Sequence, residues 1–133
     1  MKTQIKITLA LFSLVLIASC SNKTEEASNK IVAVTDFDKV QSENEDLVIL
    51  DVRTPEEFSE GHIKDAILIN FMGDDFQSKI ENLDKSKTYL LYCKAGGRQE
   101  KASIQMESMG FENILLLDGG MTSWLAEGKP TEQ

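Results

Sequence analysis

Residues 88–101 read TYLLYCKAGGRQEK, an apolar run followed by a glycine-containing loop and the start of a helical pattern. The apolar run ends at Cys93, and the helical pattern begins near Arg98. A strand followed by such a loop and a helix N-terminus directs backbone N–H groups and partial positive charge at an anion. A cysteine there, with Lys94 and Arg98 beside it, favours the thiolate form. The stretch predicts a nucleophilic sulfur next to a small-anion site, although a small buried apolar residue at a strand end would give the same local pattern.

Further apolar runs alternate with helical patterns on both sides of this stretch. The runs occupy 47–52, 66–70, 88–92 and 113–117, and a short first strand is predicted at 31–34. Helices are predicted to start near Asp36 and Thr54 and to occupy 74–83, 98–109 and 121–127. Thr35 is expected to cap the first helix, while 54–57 combine a capping box with a proline at the first helical position. The alternation predicts an α/β domain with a mostly parallel sheet and helices on both faces.

The first 30 residues have a different character. Two lysines precede an apolar stretch, 7–18, that is shorter than the roughly 20 residues needed to span a bilayer, and small residues follow it. The sequence Ile-Ala-Ser-Cys at 17–20 resembles a bacterial lipobox, which implies cleavage before Cys20 and lipid attached to it. A plain secretory signal is the alternative. We therefore expect a signal peptide at 1–19, a lipidated flexible tether at 20–30 and a folded domain at 31–130.

Charge and cysteine content limit the partners and the chemistry. The chain has 14 basic and 22 acidic residues, and removal of 1–19 takes away two lysines, so the net charge falls from −8 to −10. This charge argues against nucleic acid as a partner. The lipid would anchor the protein to a bacterial membrane, with the domain in the periplasm or another extracytoplasmic space. If Cys20 is acylated, Cys93 is the only free thiol and no internal disulfide can form.

Four segments in order resemble a single-domain rhodanese, a thiosulfate sulfurtransferase-like module. They are DVR at 51–53 with PEEF at 55–58, GHI at 61–63 with Ala66 and Ile-Asn at 69–70, Tyr-Cys through Arg at 92–98, and LDGG at 117–120 with Trp124. The resemblance covers roughly 31–129. It implies the three-layer rhodanese-like fold, a mostly parallel sheet between helices.

The resemblance also implies a reaction centred on Cys93. The cysteine would take the outer sulfur of thiosulfate or another sulfane donor as a persulfide and pass it to a thiol or cyanide, by covalent ping-pong catalysis without a metal or organic cofactor. The residues expected to bind the small sulfur-containing anion are Lys94, Ala95, Gly96, Gly97 and Arg98. Arg53 is a further candidate for substrate contact or for an ion pair with Asp51. Asp118 is expected to cap the glycine turn that follows it.

Two other functions remain open at this point. A non-catalytic rhodanese-like module could bind a partner at the membrane surface, and a related phosphatase or arsenate reductase could use the same fold. The phosphatase relatives of this fold have a loop that resembles Cys-x5-Arg, whereas only four residues separate Cys93 from Arg98. The shorter loop favours sulfur transfer.

Many relatives carry a small hydroxyl residue after the arginine, so Gln99 is expected to narrow the mouth of the site or alter donor choice. His62 is read as a structural hydrogen-bonding residue, and one histidine with one free cysteine argues against zinc.

Overall fold

The computed structural model describes residues 30–133. The predicted signal peptide at 1–19 and the lipidated Cys20 lie outside the described residues, as does the predicted tether except for Lys30. Lys30 itself is the first residue of the first strand, and the predicted domain at 31–130 stays a prediction. Within 30–133, no helix is long and apolar enough to cross a membrane.

Five strands and five α-helices alternate along the described chain. The strands are β1 (Lys30–Val32), β2 (Val48–Asp51), β3 (Ile67–Leu68), β4 (Tyr89–Tyr92) and β5 (Ile114–Leu117). The helices are α1 (Phe37–Glu43), α2 (Pro55–Glu60), α3 (Phe76–Glu81), α4 (Gly97–Ser108) and α5 (Gly120–Ala126), and a 3-10 turn at Val34–Asp36 precedes α1. The order matches the predicted alternation.

All strand pairs are parallel, in the order β1-β5-β4-β2-β3. All four residues of the central strand β4 are buried, as expected for a parallel strand covered on both faces. One apolar cluster includes Phe76 and Ile80 of α3 with Met106 of α4. A second cluster includes Phe37 of α1 with Trp124 of α5. The two clusters contain alternate residues of β4, so helices cover both faces of the sheet and the predicted fold class is confirmed.

Several predicted boundaries are wrong. Thr35 does not cap α1, because it lies inside the 3-10 turn, which the Asp36 N–H closes on the Ala33 carbonyl at 2.9 Å. The third strand is limited to Ile67–Leu68, although the Ile69 N–H continues the pairing with Asp51 of β2. At α2, in contrast, the Thr54 capping box and the stop at Gly61 are confirmed.

Candidate active site

The site lies at the carboxyl ends of the adjacent strands β2 and β4, where the strand order of the sheet reverses. From β2 the chain goes on to β3 on one side, and from β4 it goes on to β5 on the other. Connections that leave two adjacent parallel strands in opposite directions open a crevice between them. Arg53 follows β2 and Cys93 follows β4, so the topology brings these predicted site residues together.

Cys93 is buried beneath the loop that follows it, with 1% of its surface exposed. Its Sγ accepts a hydrogen bond from the Gly96 backbone N–H at 3.0 Å. Gly96 has φ +124°, a backbone conformation that other residues rarely adopt. The loop thus turns one amide donor back onto the sulfur, where the strand–loop–helix pattern predicts several N–H groups directed at the site. Burial also gives the sulfur apolar neighbours, among them the cluster that contains Met106.

The start of α5 supports this loop from the other side. The Cys93 carbonyl accepts the Met121 N–H at 2.8 Å, and the Lys94 carbonyl accepts both the N–H and the hydroxyl of Thr122 at 2.9 Å. A Cβ on Gly120 would lie 2.4 Å from the Cys93 carbonyl oxygen. Gly120, Met121 and Thr122 were not predicted as site residues, although the glycine pair before them indicates a close backbone approach.

The rest of the predicted anion-binding loop faces outward. Lys94, Ala95 and Gly97 are exposed, and Gly96 is half-buried. Lys94 borders a pocket of about 290 Å³. The charged and apolar residues around this pocket include Arg53, Glu57, Glu60, Lys94, Met121 and Leu125. The pocket therefore adjoins the cysteine loop and carries both signs of charge.

Arg98 forms a bidentate ion pair with Glu57 of α2. Its Nη1 and Nη2 donate to the two Glu57 carboxylate oxygens at 2.6 and 2.7 Å. The Arg98 hydrogen bond lowers the pKa of Glu57 to about 2, although partial burial of the carboxyl opposes the shift. Each terminal nitrogen thus donates one of its two hydrogens to Glu57, and contact between Arg98 and a substrate anion through the other donors stays a prediction. From the sequence, Glu57 is recognisable only as a capping residue of α2, because its partner Arg98 lies 41 residues away.

The Glu57–Arg98 pair predicts a pH-dependent contribution to stability. The folded-state pKa of Glu57 is depressed from 4.5 to about 2, so the stabilisation is complete above pH 4.5 and is lost as the pH falls through 2. Glu57→Gln keeps the capping box but not the charge, and we expect it to cost about 1–2 kcal/mol at pH 7. Urea unfolding at several pH values should show this difference shrink below pH 4.5. Glu56→Gln, an exposed neighbour in the same helical turn, is the control, and a difference that persists at pH 2 would contradict the assignment.

Asp51 and Arg53 form a buried ion pair, as predicted, with 0% and 5% of their side chains exposed. Arg53 Nη2 donates to Asp51 Oδ2 and to the Gly61 carbonyl, both at 2.7 Å, and Nε donates to both Asp51 oxygens. The pair therefore joins the end of β2 to the end of α2. Arg53 also borders the pocket, but substrate contact by Arg53 stays a prediction.

Gln99 does not narrow the mouth of the site, which corrects the sequence-based expectation. It is 3% exposed and points inward beneath the loop. Its Oε1 accepts the Cys93 N–H at 2.8 Å, and its Nε2 donates to the Leu117 carbonyl at 2.7 Å. Position 99 is in the first turn of α4 and faces the sheet, so a long amide reaches the ends of β4 and β5 instead of solvent.

The structure does not show the cap predicted for Asp118, and it places His62 against Phe58 of α2. The predicted cap by Asp118 is not formed: its side chain is exposed, α5 has no side-chain capping bond, and its backbone N–H pairs with Val32. The His62 ring stacks on Phe58 at a centroid distance of 3.7 Å, and its Nδ1 lies 3.1 Å from the Phe58 carbonyl. Within 30–133, no group of three or more His, Cys, Asp or Glu residues is arranged to hold a metal ion.

Comparison with known proteins agrees with this geometry. The family description "Rhodanese-like domain" matches residues 33–127. This chain belongs to the rhodanese-like family. The match covers α1 through α5 and includes the whole cysteine loop, so the site lies inside the rhodanese-like domain.

Named relatives of this rhodanese-like domain include sulfurtransferases. "Putative sulfurtransferase YtwF" of Bacillus subtilis is 38% identical over 93 residues, which cover 70% of this chain and 86% of that protein. "Thiosulfate sulfurtransferase 16, chloroplastic" of Arabidopsis thaliana is 34% identical over 93 residues, 62% of this chain and 78% of that protein. A rhodanese-related crystal structure from Thermoplasma volcanium superposes with a TM-score of 0.66 at 26% identity, and covers 77% of this chain and 97% of that one. The chain is thus a rhodanese-like domain related to sulfurtransferases.

Proposed function

We propose that this domain is a sulfurtransferase that works through a persulfide on Cys93. The Cys93 thiolate attacks the outer sulfur of thiosulfate or a related sulfane donor. A new S–S bond forms as the old one breaks, and sulfite leaves with the electron pair of that bond. Cyanide or a thiolate then attacks the outer persulfide sulfur, takes it as thiocyanate or a new persulfide, and returns Cys93 as a thiolate. The two half-reactions form a ping-pong cycle.

The observation that carries this proposal is the Gly96 N–H that donates to the Cys93 Sγ at 3.0 Å. A fixed backbone donor stabilises negative charge on sulfur without reorganisation, both in the thiolate and in the persulfide. The ammonium of Lys94 at the adjacent pocket supplies positive charge for an anionic donor. The spacing of four residues between Cys93 and Arg98 also favours sulfur transfer over the phosphatase alternative.

Intact-mass measurement tests the proposal directly. After incubation with thiosulfate and removal of the excess, we expect the protein to gain about 32 Da, the mass of one sulfur atom held as a persulfide. Addition of cyanide should remove the adduct and release thiocyanate. If no sulfane donor, including a glutathione persulfide, gives the adduct, the sulfurtransferase proposal is wrong and the non-catalytic binding module is favoured. Release of phosphate from an aryl phosphate would support the phosphatase alternative instead.

We also propose that the domain is tethered to a bacterial membrane through lipid on Cys20. Support comes from the sequence of 1–20, with a basic start, an apolar stretch and a lipobox-like end. In a bacterial host fed a labelled fatty acid, the wild-type protein should incorporate label and partition with membranes. Cys20→Ser should lose both properties while Cys93→Ser keeps them. Label that persists in Cys20→Ser would overturn the lipidation proposal.

A further inference from the structure

The hydrogen-bond ladder between β4 and β5 is interrupted at Cys93. Tyr89 donates to the Asn113 carbonyl at 2.9 Å, and Leu91 is paired with Leu116 two residues further along. In a parallel ladder the donors recur at every second residue. The next bond in this series would join the Cys93 N–H to the Leu117 carbonyl.

The side-chain amide of Gln99 occupies that place in the ladder. Its carbonyl takes the Cys93 N–H and its NH₂ group donates to the Leu117 carbonyl, at 2.8 and 2.7 Å. The primary amide of Gln99 therefore stands between the two strands as a peptide group would. Its oxygen accepts from β4 and its nitrogen donates to β5. The two strands are separated at this point by the width of that amide, while the Val52 N–H still bonds the Tyr92 carbonyl on the other side of β4.

This insertion has two consequences for the sulfur. The backbone N–H of Cys93 is used by Gln99 and not by a substrate, and the amide that contacts Sγ is that of Gly96. Gln99 also belongs to α4, which begins at Gly97, so the bond ties the first turn of that helix to the main chain of the cysteine. The buried Gln99 side chain therefore connects the residue before the loop at 94–97 to the helix that follows the loop.

We propose that Gln99 is a positioning residue for the sulfur chemistry of Cys93. By separating β4 from β5 at the strand end, it sets where the Cys93 side chain lies relative to the Gly96 N–H. The inference rests on the proposed function for its catalytic consequence, but the placement of the sulfur can be tested without any sulfur transfer.

Three variants separate this role from a general effect on folding. Gln99→Met keeps the side-chain length and removes both hydrogen bonds. Gln99→Glu restores both only when its carboxyl is protonated, since a neutral carboxyl has one donor and an acceptor. Burial raises the pKa of such a carboxyl, so this variant should change state between about pH 5 and pH 8. Gln105→Met makes the same chemical change at a half-buried position on the same helix and is the control.

In steady-state assays with thiosulfate and cyanide at pH 7.5, Gln99→Met should lower kcat by about 10- to 100-fold, a cost typical of misplaced reacting groups, with KM for the donor within about twofold. Gln99→Glu should recover toward the wild-type rate as the pH falls, measured as a ratio to wild type at each pH. Gln105→Met should match wild type. If Gln99→Met keeps the wild-type kcat, or if Gln99→Glu shows no recovery at low pH, the positioning role is overturned.

Alkylation of Cys93 by iodoacetamide gives a readout that does not depend on sulfurtransferase activity. We expect Gln99→Met to react at least about threefold more slowly than wild type at the same pH, because the sulfur loses its aligned donor. Gln99→Glu should approach the wild-type rate at low pH. An equal or faster rate in Gln99→Met counts against the proposal. If wild type transfers no sulfur but these alkylation ratios hold, the proposed function fails and the positioning role stands.

Discussion

Cys93→Ser is expected to abolish sulfur transfer from thiosulfate to cyanide, with a fall in kcat on the order of 10⁴-fold or more, as for other nucleophile knockouts. A serine hydroxyl fits the same space and can accept the Gly96 N–H, so the fold should survive. It cannot become a persulfide, and its oxygen is a poor nucleophile near neutral pH. Thiocyanate release measures the rate, and intact mass should show no added sulfur.

The chain offers a matched control for this experiment at its other cysteine. Cys20→Ser makes the same change outside residues 33–127, which the rhodanese-like match covers, and its transfer rate should stay within about twofold of wild type. A sulfur adduct that remains in Cys93→Ser, or that is lost in Cys20→Ser, would show that Cys93 is not the residue that carries the sulfur.

Arg53→Met should lower the free energy of unfolding by about 3–5 kcal/mol, more than Glu57→Gln or Lys39→Met, because it leaves the fully buried Asp51 carboxylate without its cation. The variant also removes the bond to the Gly61 carbonyl and so loosens the end of α2. Urea-induced unfolding followed by Trp124 fluorescence measures the change. The exposed pair Lys39–Glu43 is the reference, and Lys39→Met should cost less than about 0.5 kcal/mol.

A double variant separates the charge from the packing at this site. Asp51→Asn with Arg53→Met removes both charges and retains an oxygen that accepts the Arg53-position backbone N–H, as Asp51 Oδ1 now does at 2.9 Å. We expect it to recover at least about half of the stability lost in Arg53→Met, since replacing a whole buried pair costs less than breaking one. A double variant no more stable than Arg53→Met would place the loss in packing and in the Gly61 contact.

The sequence-based predictions succeeded where the interacting residues are close together in the chain and failed where they are far apart. The helix start at Thr54–Glu57 was readable because a capping box is complete within four residues. The cysteine loop was readable because strand, glycine turn and helix are contiguous in 88–101. Gln99 was misread because its two partners, the Cys93 N–H and the Leu117 carbonyl, become neighbours only when β4 pairs with β5.

By itself, the sequence determined the α/β alternation, the parallel sheet and the position of the cysteine loop at a strand end, because apolar periodicity and turn chemistry are local properties. Tertiary structure alone decided which charges around the sulfur are already paired. Glu57 and Arg98 lie 41 residues apart and form a bidentate pair only because β2 and β4 are adjacent in the sheet. Strand order sets which side chains meet at the carboxyl edge, and strand order depends on how the whole chain buries its apolar faces.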